Sequence, residues 1–144
     1  MIKWILERII IELFIYYEKI TKDIFLKIFS KDGGFSKSET KKYWIEFDTS
    51  SATHIKAFIR FLKDIYSIDW YNYKKDMRKK EKYTRRIRGD IIHAKKRYNI
   101  KKYILAIKII LKLIIRKKRY LYKPIKEKKM DINKQFLLNK LKLN

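Results

Sequence analysis

Lys74, Lys75, Arg78, Lys79, Lys82, Arg85, Arg86 and Arg88 fall within one stretch, residues 74–88 (KKDMRKKEKYTRRIR), in which nine of fifteen residues are basic. Read as a helix, positions 74, 78, 82 and 85 share one face and 75, 79 and 86 the next, so cations cover most of the cylinder. Such a helix is destabilised by its own i,i+4 repulsions when isolated. It is expected to order when phosphates lie on more than one side, as in an element threaded into folded RNA. A solvated charged segment and a nuclear localisation signal have the same composition.

Two further sets of side chains extend this chemistry. Lys101, Lys108, Lys112, Arg116 and Arg119 line one side of a second helical pattern, opposite Ile100, Tyr103, Ile104, Ile107, Leu111 and Ile114. That arrangement suits a core helix turning its cations to phosphate, or an interfacial helix on anionic lipid. Aromatic residues interleave with the cations, and unpaired bases stack on such rings at about 1–3 kcal/mol per base. Tyr83, Tyr120 and Tyr122 are the stacking candidates, whereas Tyr98 and Tyr103 are expected to pack the helices.

Nothing in the chain assembles catalytic machinery, and the sequence calls for no cofactor. His54 follows Ser50, Ser51 and Thr53, a cap region rather than a triad. His93 lies one helical turn after Asp90, yet with two histidines in the chain no further metal-ligand pair is evident. Asp64 and Asp69 read as ordinary helix charge before a lysine-rich stretch. Arg88-Gly89-Asp90 spells an adhesion tripeptide by chance, and Asp32-Gly33-Gly34-Phe35 lacks phosphate-loop spacing.

The elements that must position these groups are mainly helical, in an irregular arrangement. Residues 2–29 read as one long helix, apolar on most sides, with a narrow stripe of Lys3, Glu7, Arg8, Glu12, Lys19 and Lys22. Those charges make it a poor membrane span. It is expected to pack on neighbouring proteins. Residues 30–40 read as a loop around Gly33-Gly34. Tyr43-Trp44-Ile45-Glu46-Phe47 has strand-forming residue types and predicts a short extended segment. Asp48, Thr49, Ser50 and Ser51 offer caps for an amphipathic helix carrying Ile55, Phe58, Ile59, Leu62, Ile65 and Tyr66. Gly89-Asp90 predicts a helix stop and a new cap. A further helix follows to about Tyr122, bent near Asn99 and ended by Pro124. A weak helix over 131–143 closes the chain.

The 144 residues carry a net charge of +24, distributed unequally. Residues 1–73 hold twelve cations and ten carboxylates, a net of +2, while residues 74–144 hold twenty-seven against five, a net of +22. The chain therefore divides by charge into a near-neutral helical module, 1–73, and a basic helical half, 74–144, within one domain by length. Self-repulsion on that scale opposes compactness unless a polyanion offsets it. The absence of cysteine excludes disulfides and thiolate chemistry. Twenty-six Ile with no Val, and thirty Lys with nine Arg, track AT-only codons. Codon pressure accounts for some lysine, but not for the asymmetry, because both halves share it.

These features point first to a structural RNA-binding protein, a divergent component of a mitochondrial ribosome that binds rRNA through its basic half. Acidic residues at Glu7, Glu12, Glu18 and Asp23 argue against an imported presequence, so an organelle-encoded gene is expected. The cytoplasm of an AT-rich bacterium or its phage is the other expected setting. Two alternatives fit less of the pattern. One is an accessory subunit of an inner-membrane respiratory or ATP synthase complex, resting on an anionic membrane surface. The other is a phage or plasmid DNA-binding protein, for which residues 91–94 (IIHA) make a weak recognition helix.

Overall fold

The computed structural model describes residues 2–47, 52–69, 75–122 and 132–143, and every regular element in them is helical. In chain order these are α1 (Ile2–Lys27), a π-helical turn (Ile28–Asp32), α2 (Lys37–Glu46), α3 (Ala52–Tyr66), α4 (Lys75–Ile92), α5 (Ile100–Tyr122) and α6 (Lys134–Lys140). Packing divides the chain into two compact units that interleave along the sequence. The first comprises Met1–Ile20 with Tyr71–Lys118, and the second Thr21–Trp70 with Arg119–Asn144. The two units share the charge less unequally than the two halves of the sequence do: the first unit carries +16 and the second +8.

The first unit is built on the early turns of α1 with α4 and α5. Its core contains Ile10, Phe14 and Tyr17 from α1, Ile87 from α4, and Tyr103, Ala106, Ile110 and Leu113 from α5. On α4 the seam facing this core is Glu81, Thr84 and Ile87, spaced three apart and mostly polar. The expected stop at Gly89-Asp90 is overturned, because α4 runs on to Ile92. It ends at Ala94, whose φ of 52° places it in the left-handed region, and the Lys95 N–H donates to the Asp90 carbonyl at 2.9 Å. The continuous helix expected from 90 to 122 is thus broken over 93–99, and α5 starts afresh with the Asn99 side chain accepting from the Lys102 N–H.

The second unit is an aromatic cluster. Phe25 stacks on Phe29 at 4.1 Å between centroids, and Phe35, Trp44, Phe47 and Phe58 surround the pair. The extended segment expected at 43–47 is helical instead, as the last turn of α2 and its C-cap. Its start is set by a capping box, in which Ser36 Oγ accepts from the Glu39 N–H and Glu39 reaches back to the Ser36 N–H. Helical spacing then turns Tyr43, Trp44 and Phe47 onto Phe29 and Phe25, leaving Ile45 and Glu46 exposed. Packing overrides strand propensity here, since a lone strand has no ladder partner. Most of the predicted loop 30–40 is likewise helical, leaving a short connection around Gly34.

Three glycines do not cover the helix ends, and the chain uses other residues there. Ser67, Ala94 and Lys142 all take positive φ where α3, α4 and α6 finish. Gly33 is needed for another reason: a Cβ there would come within 2.8 Å of Leu137 Cδ2 and 2.9 Å of the Phe29 carbonyl. Gly89 sits inside α4 with open space around it. Gly33→Ala is therefore expected to lower stability by about 1–3 kcal/mol, and Gly89→Ala to raise it by about 0.5–1 kcal/mol. Denaturant midpoints of the two variants check both signs.

Candidate nucleic-acid interface

The charged groups of the first unit sort into those that face inward and those that do not. Each of its six carboxylates has a partner. Glu7 accepts from Arg97 and from the Tyr103 hydroxyl, both at 3.0 Å. Glu12 pairs with Arg8 at 3.7 Å and Asp76 with Lys80 at 3.1 Å. Asp90 accepts from the Tyr98 hydroxyl, which pushes that phenol up to about 12. Glu18 draws in Arg88 at 2.6 Å and Arg85 at 3.8 Å, and both guanidiniums also lie over the Phe14 ring.

Glu81 is the most deeply placed of the six. Tyr17 donates to it from α1, Arg85 lies at 3.3 Å, and the Lys117 ammonium lies 3.8 Å away. Lys117 is 1% exposed, donates to the Tyr17 hydroxyl and sits 3.5 Å from that ring's centroid. Burial pulls its pKa well below the ordinary lysine value. The sequence gives little warning of this group, because Lys117 lies in a basic run and Glu81 in the most charged segment of the chain.

With the carboxylates engaged, the outward face of α4 is cationic. Arg78, Lys79, Lys82 and Arg86 fall on one arc of the helix and are all exposed, with no ion-pair partner among the described residues. Arg85 and Arg88, expected among the phosphate contacts, are instead turned to Glu18. The cations therefore do not encircle α4. Tyr83 is half-buried on the flank of the basic arc. Lys74 lies outside the described residues, as do the side chains of Lys75, Tyr120 and Tyr122 and the cap Asp48–Ser51.

On α5, Lys101, Lys108 and Lys112 are exposed along one line, and Arg119 is exposed in the last turn. Arg116 is half-buried beside them. Next to the lysine line runs a second exposed stripe of Ile100, Ile104, Leu111 and Ile115. Tyr98 and Tyr103 are buried as packing residues, and the Tyr103 hydroxyl accepts from the Tyr98 N–H at 3.0 Å. Burial, aided by Glu7, raises the Tyr103 pKa.

Of the remaining candidates, His54, Arg88 and Asp90 are accounted for by local contacts. His54 stacks on Phe47 with rings 15° apart. Arg88 and Asp90 are committed to Glu18 and Tyr98 inside α4, and His93 is exposed in the following turn. Among the described residues no three His, Cys, Asp or Glu side chains gather as a metal site, and no helix is long and apolar enough to cross a membrane. What the arrangement offers chemically is a surface of fixed cations on a frame that has used its own anions. Compared with known families, curated proteins and solved structures, the chain matches no family model, no curated sequence and no solved structure.

Proposed function

We propose that this is a structural RNA-binding protein, a divergent component of a mitochondrial ribosome, contacting rRNA through the outward cations of α4 and α5. The observation that carries this reading is the sorting of charge in the first unit. Its six carboxylates are partnered, while Arg78, Lys79, Lys82 and Arg86 present one sign on one face. A surface of that kind lowers its self-repulsion by taking a polyanion. Lys79 and Lys82 on α4 and Lys101, Lys108 and Lys112 on α5 suit phosphate contact as point charges, whereas the planar guanidinium is the usual bidentate reader of guanine. Residue usage that tracks AT-only codons fits an organelle-encoded gene, as it equally fits an AT-rich bacterium or its phage. The test is sedimentation of the tagged protein from organelle lysate. Cosedimentation with a ribosomal subunit at moderate salt, and release by ribonuclease, is expected. Recovery with detergent-solubilised membrane complexes instead would reject this reading.

A second reading is favoured by one observation, the exposed apolar stripe of α5 beside its lysines. Ile2, Trp4, Ile5 and Ile9 of α1 are exposed as well. An accessory subunit of an inner-membrane respiratory or ATP synthase complex would use such surfaces against protein neighbours and anionic headgroups. The same sedimentation experiment separates the two.

A further inference from the structure

The second unit holds a cleft of about 660 Å³ between α3 and α6. It joins residues from opposite ends of the charge gradient. Lys56 and Arg60 come from α3 in the near-neutral part of the sequence, and Lys140 and Lys142 come from the basic tail. All four are exposed, and none has an ion-pair partner among the described residues. One carboxylate, Asp64, shares the lining, so the cleft is strongly cationic. Its apolar surface is equally specific. Phe61 and Ile65 are buried beneath it, and the half-buried ring of Phe136 forms part of the wall. The Lys140 ammonium lies 5.6 Å from the centroid of that ring.

The local structure explains why these groups meet. Asn133 caps α6 by accepting from the Phe136 N–H at 2.7 Å, which fixes the first turn that carries the ring. At the other end the Leu143 N–H donates to the Leu138 carbonyl at 2.9 Å, and Lys142 takes a φ of 57°. That closure buries Leu141 and Leu143 and leaves Lys142 projecting at the cleft rim. Leu137, fully buried against Gly33, anchors the helix in the second unit.

We propose that this cleft takes an unpaired nucleotide of single-stranded RNA, with the base against Phe136 and the flanking phosphates on Lys56, Arg60, Lys140 and Lys142. A half-buried ring with an ammonium 5.6 Å over it, set among further cations, combines the π surface and the charge by which single strands are bound without reading sequence. A paired strand cannot enter, because its bases are already stacked and its phosphates follow the helical surface. The proposal rests on the RNA-binding reading above and adds to it the kind of RNA and the place. It assigns the unpaired segments to the second unit and the general phosphate contact to α4 and α5.

Fluorescence anisotropy of the full chain with a labelled short oligouridylate and a labelled short RNA duplex tests this. Phe136→Leu keeps the apolar volume and removes the π face. It is expected to weaken single-strand binding by about 5-fold or more, with duplex affinity changed by less than about twofold. Replacing Lys56, Arg60, Lys140 and Lys142 together by Gln should weaken single-strand binding by at least about 10-fold. Photocrosslinking of wild-type protein with 4-thiouridine-containing oligomer, mapped by mass spectrometry, is expected to mark Phe136 or its neighbours on α6. Binding to both oligomers that survives the two variants, with crosslinks only on α4 or α5, would overturn the cleft and leave the RNA-binding reading intact. Equal loss on both oligomers in the Leu variant would also overturn it, as a purely structural effect. Wild-type protein that binds neither oligomer would reject the RNA-binding reading itself.

Discussion

Between about 50 and 200 mM salt, the affinity of this protein for RNA is expected to fall by about 10³–10⁵-fold, the loss that accompanies neutralisation of about 6–10 phosphates. The cause is release of condensed counterions, so the dependence should be nearly the same for RNAs of different base sequence. Replacing Arg78, Lys79, Lys82 and Arg86 by Gln is expected to reduce the magnitude of the log–log slope by about 3–4, one cation's share each. These four are chosen because the α4 arc presents them outward without ion-pair partners among the described residues. Arg85→Gln with Arg88→Gln serves as the contrasting pair. Their guanidiniums face Glu18, so the pair should cost folding stability and leave most of the slope in place. A filter-binding salt titration of the three proteins decides the matter. A slope that survives the quadruple variant, or collapses in the Arg85/Arg88 variant, would show that α4 meets RNA through a different face.

Helix content was legible from the sequence wherever apolar spacing was regular. In α3, Phe58, Leu62, Ile65 and Tyr66 recur at helical intervals and all are buried as that pattern predicts. The long N-terminal helix was legible too, although its greasy character concealed which sides would be covered: Ile10, Phe14 and Tyr17 are buried while Ile5, Ile9 and Ile15 are exposed. Residues 43–47 misled because aromatic and β-branched types are common to strands and to helices that join an aromatic cluster. The deciding signal was the box Ser36-x-x-Glu39, seven residues upstream of Tyr43, which starts the helix that carries them.

The basic segment was legible as a helix and illegible as a packed one. Its inward residues are Glu81, Thr84 and Ile87, so the usual apolar stripe is mostly replaced by polar groups. Partners supplied by distant parts of the chain, Tyr17 and Lys117, make that seam buriable, and no local pattern reveals them. The same long-range pairing removes Arg85 and Arg88 from the surface set. The basic cleft of the second unit was hidden for a related reason, since it joins two moderately charged segments separated by about half of the chain.

Glu81→Ala is expected to be among the most damaging single substitutions in the chain, at about 3–5 kcal/mol, because it removes the buried acceptor that Tyr17, Arg85 and Lys117 share. Removing both charges tests whether the pair itself stabilises the fold. Desolvating two ions is costly, so Glu81→Leu with Lys117→Met should lie near wild type or be more stable by about 1–4 kcal/mol. The pH dependence follows from the same group. Burial holds the Lys117 pKa below its unfolded value, so between the two values the unfolded chain binds the extra proton. Stability from this residue therefore rises as pH climbs from the folded pKa towards about 10.4. Urea denaturation at neutral pH and at pH near the top of that window should show the wild type gaining relative to the double variant. The comparison cancels the change in surface repulsion that both proteins share. Equal gains in the two proteins would mean that Lys117 keeps an ordinary pKa in the fold, and that Glu81 holds it as a fully charged pair.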